Sequence, residues 1–126
     1  MIYQKFKKFV EAEKLFSPRS RLLVAVSGGQ DSVALVHLLV ELKKKDWPQL
    51  QIALAHFNHE LRKSADEDEL FVRNLAKELG LKLFTGRANV KEFAERKQLN
   101  LEEAARLKRY EFLRKAASKF EADYIL

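Results

Sequence analysis

Cysteine is absent from the 126 residues, so this chain holds no disulfide, no thiolate zinc site and no cysteine nucleophile. Long hydrophobic runs are missing too. The longest mostly apolar stretch, Val33 to Val40, is far too short to cross a bilayer. Met1 to Val10 carries basic residues but no continuous apolar core followed by small residues, so it does not read as a signal peptide. The expectation is a cytoplasmic protein without membrane association. No repeat, low-complexity tract or linker interrupts the chain. What is present is 47% hydrophobic and 33% charged residues, the balance of a soluble globular domain of a length that supports a real core. The net charge of +6 favours a polyanionic partner, although lysines on solvated helix faces account for it equally well.

Hydrophobic spacing predicts an amphipathic helix over 2–16, with Phe6, Phe9, Val10, Ala12, Leu15 and Phe16 on its apolar side, ended by Ser17-Pro18. Arg21 to Val26 reads as a buried strand, and Ser32 to Leu42 as a helix apolar nearly all round. Lys43-Lys44-Lys45 suits that helix's C-terminal turn, and Trp47-Pro48 breaks it. Gln51–Phe57 is a second strand, followed by a polar loop, Asn58–Lys63. Ser64-Ala-Asp-Glu67 matches a capping box ahead of a helix with Leu70, Phe71, Leu75 and Leu79 on one face, stopped by Gly80. Leu81–Thr85 is a third strand. Asn89-Val-Lys-Glu92 and Asn100-Leu-Glu-Glu103 repeat the cap pattern ahead of two more helices, and Ala122–Leu126 reads as the start of a fourth strand. Strands alternating with helices predict an α/β fold, a parallel sheet with helices on both faces. A chain that stops inside an apolar strand is expected to be the N-terminal part of a longer protein.

In such sheets ligands bind beyond the carboxyl ends of the strands, near the point where strand order reverses. Two carboxyl-end loops are unusually polar, Ser27–Ser32 and His56–Arg62. The first is neither a Walker A loop, since no Gly-Lys-Ser/Thr follows, nor Gly-x-Gly-x-x-Gly. Ser27-Gly28-Gly29-Gln30-Asp31-Ser32 matches the pyrophosphatase loop of ATP enzymes that adenylate a substrate. Gly28 and Gly29 let the backbone approach phosphates, and Ser27 and Ser32 offer hydroxyls. Asp31 beside a triphosphate needs a cation between them, which implies Mg²⁺.

His56-Phe57-Asn58-His59-Glu60-Leu61-Arg62, with Asp66 and Phe71-Val72 following, resembles the His-x-Asn-His-x-Leu-Arg motif of the tRNA(Ile)-lysidine synthetases. Leu101-Glu102-Glu103-Ala104-Ala105-Arg106 and Arg109-Tyr110-x-Phe112-Leu113 resemble that family's Glu-Glu-Ala-Ala-Arg and Arg-Tyr segment. With the glycine loop, the matches run in order over residues 22–126. The resemblance implies an adenine nucleotide alpha hydrolase-like, Rossmann-like fold, truncated at the fourth strand. Residues 1–126 would be the N-terminal part of a PP-loop catalytic domain. The rest of that domain, with its His-His-x-x-Asp-Gln-x-Glu-Thr segment, and the tRNA-binding domains would be absent, leaving the piece inactive alone.

The resemblance also implies a ligase. ATP would adenylate the C2 oxygen of the wobble cytidine in the CAU anticodon of tRNA(Ile), and the ε-amine of free L-lysine would displace AMP. Ser27, Gly28, Gly29, Gln30, Asp31 and Ser32 would hold ATP, and Asp31 a magnesium ion. His56, Asn58, His59 and Arg62 would line the neighbouring wall, with Arg106 and Arg109 facing phosphate or tRNA. Asp31, His56, His59, Arg106 and Arg109 are the candidate catalytic residues, and Asn58, Arg62 and Arg109 the candidate tRNA contacts; a homodimer is allowed. Blander readings stand beside these. Arg106 and Arg109, three apart on a helix, equally suit a solvated face. His56 and His59 in a cysteine-free loop make a poor zinc pair, and His37 is a packing or surface histidine. Glu102 and Glu103 are explained by the dipole of their helix's first turn. A tRNA thiolase, which commonly needs cysteines, or a non-catalytic nucleotide-binding subunit, which has no use for Asp31 as a metal ligand, are the rivals.

Overall fold

The computed structural model describes residues 2–126. Helix α1 (Ile2–Glu13) packs along α2 (Gln30–Lys45), and strand β1 (Arg21–Ala25) lies between them in sequence. Then follow β2 (Gln51–Asn58), α3 (Ser64–Leu79), β3 (Lys82–Arg87), α4 (Val90–Lys97), α5 (Leu101–Phe120) and β4 (Tyr124–Ile125). All pairings are parallel and the strand order is β3-β2-β1-β4. Val24 pairs with Leu54, Leu54 with Leu83, and Leu22 with Tyr124. The expected α/β architecture is therefore present.

Alternation along the central strands assigns the faces. Leu22, Val24, Val26, Ile52 and Leu54 point into a core of large aliphatic side chains shared with α1, α2 and α3. Leu23, Ala53 and Ala55 point the other way, where Leu113, Ala116 and Phe120 of α5 cover them. Alanine on this second face lets α5 approach closely, which matters because α5 carries one wall of the site. Val90 and Ala94 of α4 pack on Ala104 to close the layer's edge.

Several local expectations change. The first helix ends at Glu13, not at residue 16, because Lys14 turns to φ 50°. That turn sends Phe16 back into the core, its ring edge-on to Trp47 at 5.8 Å. Tyr3 and Val10 are buried while Phe9, expected on the apolar side, is exposed. In α3 the buried stripe is Ala65, Val72, Leu75 and Ala76, and Leu70 and Phe71 face solvent. Ser64 does not cap that helix. Lys63 already has helical angles and Ala65 N–H donates to the Arg62 carbonyl, so Ser64 sits inside the first turn. The two asparagine caps form as expected: Asn89 Oδ1 accepts from Glu92 N–H at 3.0 Å and Asn100 Oδ1 from Glu103 N–H at 2.8 Å. His37 is exposed on α2. No helix of the described residues is long and apolar enough to cross a membrane.

Candidate functional site

From β1 the chain steps to one side through β2 and β3 and then returns to the other side with β4, so β1 is the strand at which the order reverses. The glycine loop leaves that strand. Gly28 takes φ +98°, a conformation side chains resist, and Gly29 is the N-cap of α2. Ser27 Oγ accepts from Gly29 N–H at 3.2 Å, and Ser32 Oγ donates to the Gly29 carbonyl at 3.1 Å, which ties the turn together. Among the described residues no side chain caps α2. Its first amides and the positive end of its dipole are thus open to an anion. Gln30 and Asp31 are exposed on that first turn. Helix α3 closes the loop from the side: a methyl on Gly28 would lie 3.4 Å from Cβ of Asp68.

Beyond the carboxyl ends of β1 and β2 lies a cavity of about 550 Å³. One side is built by Ser27, His56, His59, Arg62 and Asp68, the other by Phe57 and by Glu102, Ala105, Arg106 and Arg109 of α5. Three segments far apart in sequence thus share one hollow. Neither Arg62 nor Arg109 makes an ion pair among the described residues, whereas Arg106 forks onto Glu103 at 2.6 and 3.2 Å. That pair, on the surface of α5, holds the Glu103 carboxyl below its usual range.

The two histidines are set differently. His56 is buried, its Nδ1 2.7 Å from the Val26 carbonyl, and its Nε2 has no partner among the described residues. His59 is half-buried, and its Nδ1 accepts from Leu61 N–H at 3.0 Å. Burial first, and the nearby Arg62 charge second, hold the His59 ring below the ordinary histidine value, so it is neutral near pH 7.

Asn58 is turned away from the cavity. It is buried, its Nδ2 donating to Asp66 Oδ1 at 2.8 Å and Glu69 Oε1 at 3.2 Å, while its Oδ1 accepts from Glu60 N–H at 2.9 Å. One amide therefore pins the loop after β2 to the start of α3. Its hydrogen bond, with Arg87 nearby, lowers the Asp66 carboxyl. Burial pulls Glu69 up, but hydrogen bonds from Asn58 and Arg73 outweigh it and the net shift is down. Carboxyls lowered in the fold stabilise it above their unfolded values, and that contribution is lost as pH falls through the carboxylate range, about 4 and below. Asn58→Ala should lower the melting temperature at pH 7 and narrow its drop between pH 7 and pH 3, read by thermal denaturation at both values. An unchanged drop would overturn the assignment.

Of the residues expected at the site, Ser27, His56, His59, Arg62, Arg106 and Arg109 line the cavity. Gly28, Gly29, Gln30, Asp31 and Ser32 form the adjoining loop and first turn, and Asn58 lies behind the wall. Asp68 went unnoticed in the sequence, one of four successive acids from Asp66 to Glu69, with no signal to say which one points at the loop. Among the described residues no group of three or more His, Cys, Asp or Glu gathers as a metal site.

The PP-loop domain family matches residues 1–126. The tRNA(Ile)-lysidine synthase of Persephonella marina is 43% identical over 116 residues, which covers 91% of this chain and 25% of that protein. The tRNA(Ile)-lysidine synthase of Bacillus cereus is 38% identical over 123 residues, covering 97% and 25%. The chain thus spans about a quarter of the length of these curated relatives. Among solved structures, the U34-tRNA thiolase NcsA from Methanococcus maripaludis, with its [4Fe-4S] cluster, superposes with a TM-score of 0.76 at 16% identity, over 98% of this chain and 43% of that one. At that identity the likeness reaches the fold alone.

Proposed function

The chain belongs to the PP-loop domain family, and from that premise we propose that it is the ATP-binding part of a tRNA(Ile)-lysidine synthase. In the reaction, the C2 oxygen of the wobble cytidine attacks the α-phosphorus of ATP and pyrophosphate leaves. The ε-amine of lysine then attacks C2, a C–N bond forms, and AMP departs with the oxygen. The observation that carries this reading is the meeting of the Ser27 loop, the His56–Arg62 loop and the Arg106–Arg109 turn of α5 around one cavity. Two relatives of that name at 43% and 38% identity support it.

The uncapped amides of α2 and the Ser27 and Ser32 hydroxyls would cradle the pyrophosphate as charge builds on it. Arg62 and Arg109, without ion pairs among the described residues, are cations available to the departing phosphates. Mg²⁺ fits the residues present: it is bound through one or two carboxylates with phosphate oxygens and water, and Asp31 and Asp68 flank the loop. When bound with ATP it would neutralise phosphate charge. No side chain acts as nucleophile, in keeping with the lack of cysteine.

The test is a chimera in which this chain replaces the matching segment of the Persephonella marina enzyme. It should release AMP and join radiolabelled lysine to a tRNA(Ile) transcript bearing CAU, and Asp31→Ala should slow both by at least about a hundredfold. A chimera that binds ATP yet ligates no lysine would overturn the proposal, and Asp31→Ala at full rate would overturn the metal assignment.

A further inference from the structure

The opposite settings of His56 and His59 have a chemical consequence. A carbonyl only accepts, so Nδ1 of His56 carries a proton toward Val26, and in the neutral ring Nε2 then presents a lone pair. A backbone N–H only donates, so in the neutral His59 ring Nδ1 holds the lone pair, facing Leu61, and Nε2 carries the proton. Both rings line the cavity. Its wall therefore offers one acceptor and one donor.

His56 is 4% exposed and its Nε2 is without a partner among the described residues. A buried acceptor left empty is unfavourable, and in native proteins it is met by a ligand or water. Phosphate oxygens cannot meet it, because they too are acceptors. The group it receives must carry N–H or O–H. The cavity is also lined by Ala25, Ala55, Phe57 and Ala65, apolar surface suited to the face of a planar ring.

An exocyclic amine beside a bare ring nitrogen is the complement of an acceptor beside a donor. Adenine has that edge, and so does cytosine. Hypoxanthine and uracil have the reverse, a carbonyl beside a ring N–H. We infer that His56 and His59 are a base-reading pair that selects an amino-substituted base edge, the amine on His56 Nε2 and the ring nitrogen on His59 Nε2–H, against the oxo-substituted edge. The inference rests on the nucleotide-binding reading above and names what that site would discriminate. Both the adenine of ATP and the target cytidine carry this edge.

Titrations of this chain with ATP, ITP, CMP and UMP separate the two sources. One pair, ATP over ITP or CMP over UMP, should differ in affinity by roughly 5- to 150-fold, the range for leaving a buried polar group mispaired. His56→Phe, which removes the acceptor, should bring that ratio close to 1. His59→Phe, on a half-exposed loop, should also reduce it, so the result does not hang on one variant folding. Lost discrimination for ATP over ITP assigns the pair to adenine, and for CMP over UMP to cytidine. ATP bound no better than ITP, with CMP no better than UMP, would overturn the inference while leaving the phosphate site standing. Failure of every nucleotide to bind would overturn both.

Discussion

Gly28→Val should abolish ATP binding while leaving the domain folded. At φ +98° a residue with a side chain is strained by about 1–3 kcal/mol, and a β-branched one by more. The new Cβ would sit in ordinary contact with Cβ and Cγ of Asp68 at 3.4 and 3.5 Å, so the backbone conformation is the source of the strain. The loop relieves that strain by turning over, which swings its amides away from the open end of α2. The core under it is not involved. Equilibrium titration should then give an ATP dissociation constant raised at least about a hundredfold, with stability reduced by only about 1–3 kcal/mol. Wild-type affinity in this variant would refute the assignment of Ser27–Ser32 as the phosphate cradle.

Gly86→Ala should destabilise the domain and reach the site indirectly. A methyl there would lie 2.5 Å from Cδ1 and 3.0 Å from Cγ of Phe112. Cγ is at the root of the ring, so the clash cannot be relieved at a flexible tip. Phe112 in turn rests on Phe57, with ring centroids 5.9 Å apart. Either β3 or α5 must shift, an overpacking cost of about 1–3 kcal/mol, which lowers the melting temperature by roughly 5–12 °C. Because Glu102, Arg106 and Arg109 ride on α5, ATP affinity should fall as well. Phe112→Leu, which shortens that side chain, should restore part of both in the double variant. Gly86→Ala with an unchanged melting temperature would show that β3 and α5 are not in this contact.

Much of the fold was legible because its signals are local. The apolar runs at Arg21–Val26 and Gln51–Phe57, the asparagine caps at Asn89 and Asn100 and the stop at Gly80 each act within a few residues. The misreadings share a cause. Phe9, Leu70 and Phe71 were assigned to buried faces by spacing, but which flank of a helix is covered depends on the neighbour it meets. Ser64 matched a capping box, yet the preceding loop, pinned by Asn58, enters the helix one residue sooner, with Lys63 at the cap.

The site divides in the same way. The sequence by itself determined that a strand runs through Ser27–Ser32 into a helix, because glycines, hydroxyls and the apolar runs on either side suffice to make that turn and its open amides. It also named six of the residues that line the cavity, Ser27, His56, His59, Arg62, Arg106 and Arg109. Only the tertiary structure decided that Asp68, rather than its acidic neighbours, leans on Gly28, that Asn58 faces inward, and that His56 offers a lone pair where His59 offers a proton. Those outcomes rest on contacts with distant partners, Val26 being 30 residues from His56. A side chain's type limits which hydrogen bonds it can make, and its fold-given neighbours choose which remain free for a ligand.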